Sequence, residues 1–142
     1  MTNVRFYHNA SDRLRAACAI TAKAVAAGHK VIVFAPDALT ARSYDEKLWS
    51  QPPHGFIPHV SAESPLAART PVLIAGSLDN LPYDDLLLNL ADELPAGFAR
   101  FRHLVEIVGA DEAGRAAARS RWRSYKEHAC PVQAFDLANM KS

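Results

Sequence analysis

Short apolar runs recur along the chain, separated by stretches whose apolar residues are spaced as in a helix. Val31 to Ala35 (VIVFA) and Val72 to Ala75 (VLIA) are continuous apolar runs, the pattern of strands covered on both faces. Pro36 stops the first. Leu86 to Leu90 (LLLNL) is too short for its period to separate strand from helix. A strand is favoured there, because a short turn or helix at Phe98 to Phe101 and a strand at Leu104 to Val108 follow it. Aromatic and alternating residues predict a first strand over Val4 to His8, and Ala134 to Leu137 makes a last one. Leu14, Cys18 and Val25 recur at helical spacing behind Asp12, a good N-cap, with Gly28 where a C-terminal cap falls. A second helix is predicted from Leu39 to Trp49, closed by Pro52 and Pro53, and a third from Asp111 to Ala129. Gln51 to Pro71 contains five prolines and reads mostly as loop.

Strands alternating with helices predict an α/β fold of three layers, a mostly parallel sheet flanked by helices. The plan is Rossmann-like, but the turn after the first strand reads HNASDR, without the glycines that let a backbone approach a pyrophosphate. A phosphate loop of the GxxxxGK[ST] type is absent as well. The length of 142 residues predicts a single domain over 1–142.

Composition narrows the function classes. With 49% hydrophobic and 22% charged residues the chain reads as a folded globular protein. A net charge of +1 argues against a surface coated for duplex DNA, so any acidic partner must be met by a local cluster. Cys18 and Cys130 lie far apart without a CxxC pair, which fits a reducing compartment and offers no metal framework. The N-terminus does not read as a signal peptide and no run approaches the ~18 apolar residues of a membrane helix, so a cytoplasmic location is expected.

Catalytic chemistry is not readable. His54 and His59 share a loop but lack a cysteine or a helical spacing, and Asp84–Asp85 and Asp92–Glu93 read as solvated acids. A GxSxG elbow is missing and neither cysteine has an activating motif. The expectation is no catalytic residue, no metal and no cofactor.

Two constellations remain. Tyr44 to Glu63 (YDEKLWSQPPHGFIPHVSAE) places Trp49, Phe56, Ile57 and Pro58 on or near a loop. They either pack on the domain core or form a docking surface with aromatic anchors. In the last helix, with Arg119 at zero, Arg115, Arg123 and Lys126 fall within an arc of about 80°. Ala118, Trp122, Tyr125 and Ala129 make an apolar stripe on its flank. Such a ridge suits an acidic segment that also carries a hydrophobic side chain, and equally suits a solvated cationic face near a helix C-terminus.

At these residues the sequence resembles the chi subunit family of bacterial DNA polymerase III, and the resemblance runs through nearly the whole chain. It includes the opening Phe6-Tyr7-His8, the Gly28-His29-Lys30 turn into VIVFA, and Asp45, Glu46, Leu48 and Trp49 followed by Phe56, Pro58 and His59. LLLNLADELP, Phe98, Phe101, VEIV and the arginine-rich helix continue it. The chain departs from the family pattern at Tyr44, where an aliphatic residue is common, and at Gly55, where a serine often stands. Extra residues, HACPVQ, separate the last helix from the final strand.

The resemblance implies a non-catalytic adaptor that forms a heterodimer with the psi subunit, reaches the clamp loader through it, and meets DNA only indirectly. It also implies a grip on the acidic, Phe-ended C-terminal tail of single-stranded-DNA-binding protein. Arg119, Trp122, Arg123 and Tyr125 match the tail-binding helix, and Arg115 and Lys126 extend the ridge. Trp49 and Phe56, with Ile57 and Pro58, match the region facing psi or a competing helicase. The alternatives are a module whose arginines track single-stranded DNA directly while Trp122 stacks on bases, and a small α/β enzyme with an unrecognised site.

Overall fold

The computed structural model describes residues 2–50 and 57–139. Seven strands form one sheet: β1 (Asn3–Ala10), β2 (Val31–Phe34), β3 (His59–Ser61), β4 (Val72–Ala75), β5 (Leu86–Asn89), β6 (His103–Gly109) and β7 (Val132–Asp136). Their order is β3-β4-β2-β5-β6-β1-β7, and every neighbouring pair is parallel. Three α-helices cover it: α1 (Arg13–Ala26), α2 (Ala38–Ser50) and α3 (Glu112–Glu127). The chain moves one way along the sheet from β1 through β2 to β3, and the other way from β6 to β7. Right-handed crossovers therefore put α1 and α2 on one face and α3 on the opposite one. The expected three-layer α/β fold with a parallel sheet is present.

The two faces carry separate cores. Ala17, Cys18 and Ala24 of α1 and Tyr44 and Leu48 of α2 pack with Val31, Val33, Leu88, Val105 and Ile107. Alternate residues of the same strands, Ile32, Leu87, Leu104 and Val108, join Val4, Phe6, Phe98, Ala118 and Tyr125 beneath α3. The Tyr44 hydroxyl, buried between α1 and α2, bonds the Thr21 hydroxyl, which itself donates to the Ala17 carbonyl at 2.8 Å. A phenol is tolerated at this core position because Thr21 supplies its partner.

Three features differ from the sequence-based expectation. β3 lies in the proline-rich stretch read as loop; it pairs with β4 through three residues, Val60 opposite Leu73, too few for a readable period. α3 ends at Glu127 rather than Ala129, which has a left-handed φ of 59°. The chain reverses there and β7 starts at Val132, two residues before the predicted position.

One polar network crosses the core under α3. Glu106, fully buried in β6, accepts at Oε2 from Asn89 (2.9 Å), Arg121 Nε (3.0 Å) and the Tyr125 hydroxyl (2.6 Å). Arg121 Nη1 also donates to the Asp92 carbonyl at 2.7 Å. Burial holds the Glu106 carboxyl above its ordinary value, against the pull of Arg121. Removing one partner of such a pair strands a charge. Arg121→Ala is therefore expected to lower stability to urea by about 3–5 kcal/mol. Glu106→Gln combined with Arg121→Met should recover most of that loss, since glutamine still accepts from Asn89 and Tyr125.

Candidate protein interaction site

The outer ridge of α3 and the strands beside it enclose an open cavity of about 460 Å³. Phe6 of β1, Val108 of β6 and Ala134 of β7 line it with Ala118 and Trp122, and Arg115 and Arg119 stand on the helix above. Each strand contributes the residue that its alternation turns toward α3. The Trp122 ring lies 5.1 Å from that of Phe6, and Lys126 Nζ sits 5.7 Å from the indole centroid.

The end of β1 shapes the rim. Its register with β6 shifts between Tyr7 and Ala10, and Asn9 takes a left-handed φ of 61°, which asparagine tolerates better than most residues. Asn9 then ties two elements together: Nδ2 donates to Asp136 at 3.0 Å and Oδ1 accepts from Arg115 Nη2 at 3.2 Å. Arg119 Nη2 pairs with Glu112 at 3.1 Å, with both side chains largely exposed. That exposed pair contributes little and can be exchanged for another carboxylate at small cost.

The predicted ridge is thus only partly assembled around one cavity. Arg115, Arg119 and Trp122 line it, and Lys126 reaches it through the indole. Arg123 is exposed further along the helix and does not line the cavity. Tyr125 is a correction: it is 0% exposed, with its hydroxyl on Glu106, so it anchors the helix from below instead of offering a contact surface. Ala129 lies beyond the helix end. Phe6, His8, Asn9 and Ala134, which the sequence reading did not place in a site, line the cavity because the sheet brings β1 and β7 under α3.

The second constellation sits near the far edge of the sheet. Trp49, near the end of α2, is 58% exposed, and its ring lies 4.9 Å from that of His59 in β3. His59 is buried: Nδ1 donates to the Ile57 carbonyl at 2.6 Å, and Nε2 lies 3.0 Å from Asp45. Asp45 and Trp49 are four residues apart on α2, so both face this histidine. Ile57 is a second correction, because it is 5% exposed within the α1–α2 core. Pro58 is exposed, and Phe56 lies outside the described residues. Ile57→Ala should therefore destabilise the chain by about 2–5 kcal/mol. Trp49→Ala should leave the urea midpoint nearly unchanged.

One α/β domain thus presents an arginine-rimmed apolar cleft on the α3 layer and an exposed tryptophan near the other edge of the sheet. Residues 1–133 match the family model described as DNA polymerase III chi subunit, HolC. The chain is 35% identical over 141 residues to the DNA polymerase III subunit chi of Pseudomonas aeruginosa, covering 96% of this chain and 98% of that one. It is 31% identical over 111 residues to the subunit of the same name from Haemophilus influenzae, covering 78% and 77%. The Escherichia coli subunit is 27% identical over 121 residues, covering 84% of this chain and 79% of that one. The chain belongs to the DNA polymerase III chi subunit family, whose members are accessory subunits of a replicative polymerase. A solved structure of the C-terminal domain of yeast Dbp5, bound to Gle1 and IP6, superposes with a TM-score of 0.59 at 12% identity, covering 94% of this chain and 90% of that one. That likeness concerns the fold alone.

Proposed function

We propose that this chain is an adaptor that grips the acidic, Phe-ended C-terminal tail of single-stranded-DNA-binding protein in the α3 cavity. The opposite edge, around Trp49 and Pro58, then binds the psi subunit and through it the clamp loader, with Phe56 as a further anchor by sequence, and a helicase competing with psi is part of the same reading. The observation that carries the proposal is the cavity itself, with Phe6, Trp122 and Ala134 below Arg115 and Arg119. A phenyl ring entering it gains roughly 1.5–3 kcal/mol from burial. Carboxylates of the tail meet Arg115 and Arg119, each contact worth up to ~1.5–3 kcal/mol before solvent screening reduces it. No bond chemistry is involved, and the chain needs no catalytic group for this role.

Arg115→Glu with Arg119→Glu should weaken binding of a short acidic peptide ending in Phe by at least about 100-fold, read by fluorescence anisotropy, because both charges reverse. Trp122→Ala should weaken it without changing the salt dependence, since the lost contact is apolar. Wild-type affinity should fall as salt rises but persist, because ring burial is not screened. Should the charge-reversed protein bind the peptide normally and lose affinity for naked single strands, the ridge is a phosphate track and the direct DNA-binding reading replaces this one. For the psi contact, Phe56→Ala is expected to weaken binding by on the order of 2 kcal/mol or more, with little change in melting temperature.

A further inference from the structure

A second cluster of chemically capable side chains lies at the opposite end of the strands from the cavity. β2, β5 and β6 are adjacent and parallel, so the residues at their starts share one edge. His29 precedes β2, Asp85 immediately precedes β5, and His103 opens β6 opposite Leu86. One ligand-capable atom from each of the three lies within 4.8 Å of the others. His29 Nδ1 is 3.0 Å and 3.2 Å from the two Asp85 oxygens, and the two imidazole centroids are 5.3 Å apart at an interplanar angle of 78°.

We propose that His29, Asp85 and His103 form a binding site for a zinc-class divalent cation. Two imidazole nitrogens and one carboxylate oxygen are donors that zinc accepts, and all three side chains are half-buried, which leaves solvent to complete the coordination. The carboxylate is already oriented by the Lys30 amide, which donates to Asp85 Oδ2 at 2.9 Å, the kind of outer support that metal ligands need. The ring nitrogens of His103 make no hydrogen bond among the described residues, although the residue is half-buried. Burial and the nearby His29 lower the His103 value, which favours the neutral ring that can act as a ligand. Arg5 and Arg102 are close enough to act on His103, and their charge makes the site weaker than a closed structural centre. Bound metal would clip together the starts of three neighbouring strands.

Zinc chloride is titrated into untagged protein, with isothermal calorimetry and the melting temperature as readouts. One equivalent should bind and raise the melting temperature, while magnesium, which prefers oxygen ligands, should do neither. Cobalt in place of zinc should give a visible spectrum without a thiolate charge-transfer band. His103→Gln and His29→Gln should each weaken binding at least about tenfold, and His128→Gln, on a distant exposed turn, should not. Absence of binding at millimolar zinc overturns the proposal. So does affinity unchanged in both variants, or a thiolate band, which would move the metal to Cys18 or Cys130.

Discussion

The orientation of α3 depends on the contact between Glu106 and Arg121. A carboxylate in the middle of a buried strand costs several kcal/mol unless donors meet it, and this one collects three donors on a single oxygen. Two of them, Arg121 and Tyr125, come from α3, so the helix can roll only a little before the pair is broken. Arg121 falls roughly 160° from Arg119 around the helix. Fixing the first inward therefore fixes the second outward, together with Arg115 one turn earlier. The external ridge is a geometric consequence of the internal pair.

This also explains which parts of the site could be read from the sequence. Most strands and helices were legible because compact apolar runs alternate with stretches of helical spacing, whereas the three residues of β3 were too few to show a period. The arginine-rich helix was legible as a ridge, but its inner boundary was not. Tyr125 belongs to an apolar stripe by spacing, and only the carboxylate below it decides that it points into the core. A signal was present: Asn89 interrupts LLLNL and Glu106 interrupts LVEIV, and polar residues inside buried strands require partners. An arginine on the apolar side of the last helix was the available partner. For Ile57 the choice between core and docking surface stayed open for a different reason, since a loop residue between prolines has no period to show which way it faces.

Residues far apart in the chain were beyond a linear reading. Phe6, Asn9 and Ala134 meet Arg115 and Trp122 only because β1 lies between β6 and β7 in the sheet. Asn9 contributes through its backbone as much as its side chain: the left-handed turn that ends β1 sets its amide between Asp136 and Arg115. In the same way, Asp45, Trp49 and His59 come together as a unit. The Ile57 carbonyl accepts from the His59 ring, Asp45 approaches its Nε2 at 3.0 Å, and Trp49 leans on it while remaining largely in solvent.

The sheet order separates the two surfaces as far as the fold allows. β7 forms one edge, beside the α3 cavity, and β3 forms the other, beside Trp49. Six strand spacings of about 4.8 Å put those edges roughly 29 Å apart. At that distance charges on one surface are screened from the other at physiological salt. They also lie against different cores, the cavity on the α3 layer and Trp49 on the α2 layer. Partners on the two surfaces would neither collide nor share a side chain, so their affinities should be independent. The proposed adaptor role is served by that independence, because both partners can be held at once, near one another, without coupling through the core. In that proposed role the parallel sheet would serve as the spacer, and the buried Glu106–Arg121 pair sets the direction in which the α3 ridge faces.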